Sequence, residues 1–209
     1  MGKTEIKICG IRRPEDCVYV NEAMPDFAGF IFWNKSFRNV SIEEALRLRL
    51  KIDAKIRTVG VFVDETKERI CDIVNDGIVS VVQLHGSEDK GYIEALRRRL
   101  SDGIEIWKAY KIRSRKDIEA AIASEADRIL LDNGYGTGEC FDHSLMDDDR
   151  LNNRGFILAG GMTPENIPEA IRLYAPDMID ISSGVETNKV KDREKILKAV
   201  YAVRSFSDT

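Results

Sequence analysis

Short apolar runs alternate with amphipathic stretches along the whole chain. The runs predict strands at residues 5–9, 27–32, 57–63, 79–84, 105–110, 128–132, 155–159 and 178–181. Between them, apolar residues recur at helical spacing and predict helices at 14–23, 42–50, 65–75, 88–100, 115–123, 164–174 and 192–206. Ser41-Ile42-Glu43-Glu44 reads as a capping box, in which Ser and Glu satisfy each other's free backbone donors. Ser114-Arg115-Lys116-Asp117 has a weaker form of it. The strand runs are apolar at nearly every position, as in a parallel sheet covered on both faces. Such strands, nearly each followed by a helix, predict an α/β fold of the closed (β/α)8 type, a TIM barrel, over an open doubly wound sheet. No Pro/Gly/Ser linker divides the chain, so residues 1–209 read as a single barrel domain. The connection over 133–154 is the longest and the poorest in helical pattern, a property of functional loops.

Composition narrows the class. The 209 residues, 43% hydrophobic and 33% charged, suit one well-buried core. A net charge of −4 gives no reason to expect nucleic acid as a partner. The N-terminal residues carry no apolar leader and no run approaches a membrane span, so a cytoplasmic protein without membrane contact is expected. Cys9, Cys17, Cys71 and Cys140 are scattered without paired spacing, which argues against a zinc site or a disulfide scaffold. No metal ligand set is assigned.

In such a barrel the strand ends converge on one rim, where the chemistry sits. That rim collects Cys9, residues 33–38, Asp64, His85, Gly86, Asp132, Gly160, Gly161, Ser182, Ser183 and Gly184. Leu158-Ala159-Gly160-Gly161 is followed by Thr163, expected as an N-cap, and Pro164, expected at the first helical position. With Ile181-Ser182-Ser183-Gly184 downstream, it describes a phosphate cup at the C-terminal ends of strands 7 and 8: small residues admit the ligand, and backbone amides face it.

Each side chain on the rim has a bland and a sharp reading. Cys9 is either a small buried hydrophobe or, with its pKa lowered, a base or nucleophile. Asp132, after three large apolar residues, either starts a loop or is a carboxylic acid raised enough to give up a proton. Asp64 has the same setting, but its place before a helical pattern favours N-capping. Arg38 is a solvated arginine or a fork for a carboxylate. His85 is an acid/base or a hydrogen-bonded structural residue, and His143 carries little signal. Trp33 and Phe37 stack on an aromatic ligand or pack under their loop. Gly134-Tyr135-Gly136-Thr137-Gly138 lacks P-loop spacing and reads as a flexible loop over the rim.

Taken in order, Lys7-Ile8-Cys9-Gly10-Ile11, Gly29-Phe30-Ile31-Phe32 with Lys35-Ser36-Phe37-Arg38, and Val59-Gly60-Val61-Phe62-Val63 resemble successive motifs of the phosphoribosylanthranilate isomerase family. So do Val82-Gln83-Leu84-His85-Gly86, Leu131-Asp132 with Gly136-Thr137-Gly138, Leu158-Ala159-Gly160-Gly161 with Pro164-Glu165-Asn166, and Asp180-Ile181-Ser182-Ser183-Gly184-Val185-Glu186. The resemblance implies a barrel that converts N-(5′-phosphoribosyl)anthranilate to 1-(2-carboxyphenylamino)-1-deoxyribulose 5-phosphate, an Amadori rearrangement in tryptophan biosynthesis. It implies Cys9 as general base, Asp132 as general acid and Arg38 on the anthranilate carboxylate. Gly160, Gly161, Ser182, Ser183 and Gly184 would hold the phosphate, with His85 on the substrate side of the rim. No metal or organic cofactor is implied, and a monomer or homodimer is expected. The chain departs from the family pattern at Arg12, Phe37, Tyr135, Glu139, Cys140 and His143, all in loops. A phosphate-binding barrel isomerase or epimerase of other specificity, and a non-catalytic ligand-binding barrel, are the competing readings.

Overall fold

Strand β1 (Glu5–Cys9) hydrogen-bonds on one side to β2 (Phe27–Ile31) and on the other to β8 (Met178–Ile181). That last pairing closes a barrel of eight parallel strands in sequence order, completed by β3 (Arg57–Phe62), β4 (Val81–Leu84), β5 (Glu105–Lys111), β6 (Arg128–Asp132) and β7 (Ile157–Ala159). The computed structural model describes residues 3–132, 143–146 and 148–207. The loop 134–138 singled out above lies outside the described residues, as do Glu139 and Cys140.

Helices α1 (Pro14–Ala23), α2 (Ile42–Arg49), α3 (Lys67–Asn75), α4 (Lys90–Arg97), α5 (Arg115–Ile122), α6 (Asp149–Arg154), α7 (Ile167–Tyr174) and α8 (Arg193–Ser207) follow the strands in turn. Helix α6 is missing from the sequence expectation. It is six residues long, and one buried apolar residue, Leu151, leaves no period to detect. A 3₁₀ turn, His143–Met146, precedes it. The Ser41 box forms as expected, with Ser41 and Glu44 exchanging hydrogen bonds. A two-stranded hairpin of β9 (Glu186–Thr187) and β10 (Val190–Lys191) lies between β8 and α8. Among the described residues no helix is long and apolar enough to cross a membrane.

Alternation along each strand assigns the two faces. Outward residues such as Ile6, Ile8, Phe30, Val82, Ile129 and Leu158 pack under the helices in the large core. Inward residues form a second core inside the barrel, with Phe27, Val59, Val81, Trp107, Leu130, Ile157 and Met178 as its middle. Phe27 and Trp107 meet edge to face, ring centres 5.0 Å apart. Below them ion pairs close the N-terminal mouth: Arg57 meets Glu105 at 2.6 Å, and Arg128 meets both Glu5 and Glu105. The apolar plug and this floor separate the C-terminal mouth from the N-terminal end of the barrel.

Candidate active site

The C-terminal mouth holds a cavity of about 280 Å³ lined by inward strand-end residues, among them Cys9, Gln83, His85, Asp132, Asp180 and Ser182. Arg38, Gly160, Gly161 and Ser183 also line it. Residues from strands far apart in sequence thus meet because each sits at the same inward phase of its strand. A larger hollow of about 960 Å³ lies at the opposite end, around Lys3, Arg128, Arg154 and Asp177, and carries none of these groups.

Cys9 is buried, and burial pushes its thiol above the ordinary range. Lys7, two residues back on the same inward face, opposes that shift. Lys7 is itself fully buried, with Nζ 2.9 and 3.0 Å from the Asp180 carboxylate oxygens. Burial would lower its ammonium, but Asp180 and Cys9 more than offset this and hold it above the ordinary lysine range. The two residues are register partners of β1 and β8, so sheet closure itself makes the pair.

Asp132 ends β6 about one quarter exposed, its Oδ2 3.8 Å from His85 Nε2. The Gln83 side-chain amide nitrogen lies 3.3 Å from His85 Nδ1, so the His85 ring sits between Gln83 and Asp132. Gln83 Oε1 is buried with no hydrogen-bond partner among the described residues, and Gln83 lines the cavity. The rim beneath His85 is braced by Lys108, which donates to the Gly86 carbonyl at 2.7 Å and to Glu88 at 3.0 Å.

Arg38 already grips a carboxylate bidentately, that of Glu186: Nε to Oε1 and Nη2 to Oε2, both 2.7 Å. Burial works to raise the Glu186 carboxyl, but Arg38 and Lys191 overcome it and hold it below the usual range. The guanidinium also lies 4.1 Å from the Phe37 ring centre.

The family model for N-(5′-phosphoribosyl)anthranilate (PRA) isomerase matches residues 6–202. The chain belongs to the phosphoribosylanthranilate isomerase family. The N-(5′-phosphoribosyl)anthranilate isomerase of Acetivibrio thermocellus is 41% identical over 210 residues, spanning 96% of each chain. That of Endomicrobium trichonymphae is 40% identical over 207 residues, 97% of this chain and 99% of the relative. The crystal structure of the Thermotoga maritima isomerase is similar at a TM-score of 0.84 and 36% identity, covering 97% of this chain and 99% of that one. A family structure in complex with reduced 1-(o-carboxyphenylamino)-1-deoxyribulose 5-phosphate matches at a TM-score of 0.84 and 34% identity, with 97% and 99% covered.

Two local expectations for this phosphoribosylanthranilate isomerase family member need correction. Asp64 does not cap α3; Thr66 does. Asp64 instead accepts from the Ser87 amide at 2.6 Å and hydroxyl at 2.8 Å, which joins the loops after β3 and β4 and holds its carboxyl below the usual range. Thr163 is not the N-cap of α7, which begins at Ile167 with Asn166 as N-cap and Pro168 in the first turn. Thr163 and Asn166 exchange reciprocal hydrogen bonds across the preceding turn, as a capping box does, and Asn166 also holds the Gly161 carbonyl at 3.0 Å.

The two glycine-bearing loops pack directly on each other. Gly160 and Gly161 have φ of 88° and 62°, open to glycine at little cost. A Cβ on Gly184 would stand 1.9 Å from the Met162 carbonyl oxygen.

Sequence reasoning missed Lys7, Gln83, Asp180 and Lys191 as single residues. For the first three the signal is polarity at inward phase: Glu5, Lys7 and Cys9 are the inward residues of β1, and none is a large hydrophobe; Lys191 lies in the hairpin outside the barrel and carries no such signal. Two of the family departures meet at the rim, where Arg12 and Lys189 flank the exposed Phe37 ring at 5.9 and 5.5 Å. Trp33 is half-buried and does not line the cavity. Among the described residues no group of three or more His, Cys, Asp or Glu gathers as a metal site, the feature a metal-dependent epimerase would need.

Proposed function

We propose that this chain isomerises N-(5′-phosphoribosyl)anthranilate to 1-(2-carboxyphenylamino)-1-deoxyribulose 5-phosphate, as a cytoplasmic enzyme of tryptophan biosynthesis. The observation that carries the reading is one cavity lined by a thiol, a carboxylate and a guanidinium, those of Cys9, Asp132 and Arg38. The phosphate sits on the loops after β7 and β8, against the amides of Gly160, Gly161, Ser183 and Gly184, with Ser182 beside them. Arg38 turns its guanidinium towards the anthranilate carboxylate, and His85 and Gln83 face the sugar. Gln83 Oε1 then accepts from a ribose hydroxyl.

Asp132 gives its proton to the furanose ring oxygen, the bond from that oxygen to C1′ breaks, and the nitrogen lone pair forms a cationic imine at C1′. The imine acidifies the C2′ hydrogen, which the Cys9 thiolate removes; the electron pair moves to the C1′–C2′ bond and neutralises the nitrogen. The resulting enolamine tautomerises, its C2′ hydroxyl losing a proton and C1′ gaining one, to give the ketone. The cationic intermediate also favours the thiolate, against the burial that raises Cys9. Each positioned proton transfer is worth roughly 10²–10⁴-fold in rate. Phosphate and carboxylate contacts, remote from the bonds that change, align the sugar between acid and base. The chemistry calls for no metal or organic cofactor, and the chain acts as a monomer or a homodimer. The test is turnover: the protein, with nothing else added, extinguishes the fluorescence of N-(5′-phosphoribosyl)anthranilate.

A further inference from the structure

Lys191, in the short hairpin after β8, is as buried as a core residue, at 5% exposure. Its Nζ donates to the Ser182 carbonyl at 2.8 Å and to Glu186 Oε1 at 2.8 Å. Glu186 then holds Arg38 through two further hydrogen bonds. An unbroken path therefore runs from the Ser182 peptide through Lys191 and Glu186 to the Arg38 guanidinium. Its two ends are the loop after β8 and the loop after β2.

The peptide end has a geometric consequence. No cis peptide bond is present among the described residues, so the Ser182 carbonyl and the Ser183 amide of the same planar unit point in opposite directions. Drawing the carbonyl towards Lys191 turns the Ser183 N–H the other way, and Ser183 lines the cavity. At the other end, Glu186 occupies the Nε–Nη2 edge of Arg38, and among the described residues Nη1 makes no hydrogen bond that would bar a second carboxylate from that side of the fork. We propose that Lys191 is a positioning residue that sets the phosphate end and the carboxylate end of the substrate site together, so that the enzyme selects ligands carrying both anions at a fixed separation. This rests on the site assignment above, and two small probes separate it from the chemistry.

The hairpin is built to hold the lysine still. The Asp192 amide donates to the Val185 carbonyl at 2.9 Å, Thr187 Oγ1 donates to the Asp192 carboxylate at 2.7 Å, and Lys195 Nζ reaches the Glu186 carbonyl at 2.7 Å. The Lys191 side chain therefore meets Ser182 and Glu186 from a fixed backbone.

The test measures calorimetric binding of inorganic phosphate and of anthranilate to the full chain, alongside KM and kcat. Lys191→Met keeps the unbranched, apolar stem of the side chain and removes its ammonium group. It is expected to weaken both probes, each by roughly tenfold, and to raise KM more than it lowers kcat. Glu186→Gln is expected to weaken anthranilate alone and to leave inorganic phosphate within about twofold. Lys191→Met with phosphate binding intact overturns the proposal, and so does Glu186→Gln with anthranilate binding intact. The second variant carries the test by itself if the first does not fold. A parent protein without turnover, in which both probes still depend on Lys191, would sink the isomerase reading and leave this one standing.

Discussion

Lys7 Nζ and the Asp180 carboxylate face each other at 2.9–3.0 Å inside the barrel, directly beneath the Cys9 thiol. Removing the lysine leaves a buried carboxylate without its partner. Lys7→Met is expected to lower unfolding stability by about 3–5 kcal/mol. Adding Asp180→Asn should recover part of that loss, which urea unfolding of both variants measures. A double variant no more stable than the single one would contradict the pairing.

The same lysine sets the reactivity of Cys9. Burial raises the thiol and Lys7 pulls against it. Alkylation of the Cys9 peptide by iodoacetamide, followed by mass spectrometry against pH, should therefore have its midpoint above the ordinary thiol value of about 8.5. In Lys7→Met the midpoint moves higher still. A downward move would refute the assigned sign.

Gly184 presses on the Met162 carbonyl, where a methyl group has no room. Gly184→Ala must separate the loops after β7 and β8, at an expected cost of about 1–3 kcal/mol in stability. Because these loops are assigned to phosphate, KM for the phosphorylated substrate should rise with it. A stable variant with unchanged KM would place the phosphate elsewhere.

Much of this was legible beforehand, for an identifiable reason. Strands β1, β6 and β8 match their expected bounds because both of their faces are buried, one under helices and one inside the barrel. Short apolar runs between turn residues are then unambiguous. The inward charges were less legible: Lys7 and Asp180 are 173 positions apart, and only closure of the sheet makes them neighbours. The side chain of Arg38 leaves a solvated arginine and a fork for a substrate carboxylate equally open in the sequence; the fold pairs it with Glu186, a residue that stands only at the end of a motif.

Glu186 also gives the site a pH dependence. Its carboxyl is held below the usual range in the folded protein, so the stability it confers is complete above the unfolded value of about 4.3 and is lost as pH falls through the lower folded value. The difference in unfolding free energy between the parent and Glu186→Gln should therefore stay constant from neutral pH down to about 4.3 and shrink below it. A difference that stays constant down to pH 3 would show that the carboxylate is not held by Arg38 and Lys191.

Gln83 Oε1 is buried beside the cavity with no hydrogen-bond partner among the described residues, a position that a substrate donor would satisfy. Gln83→Met should leave thermal stability equal or higher while kcat/KM falls by roughly tenfold. Lower stability with unchanged kcat/KM would make Gln83 a structural residue only.

The central claim is that Cys9 and Asp132 are the two proton carriers. The decay of N-(5′-phosphoribosyl)anthranilate fluorescence, followed for the parent, Cys9→Ala and Asp132→Asn, tests it most directly. The account predicts rapid decay in the parent and a loss of roughly 10²–10⁴-fold in kcat in each variant, with KM much less affected. Decay that survives either substitution, or a folded parent that binds phosphate and leaves the fluorescence unchanged, would contradict it.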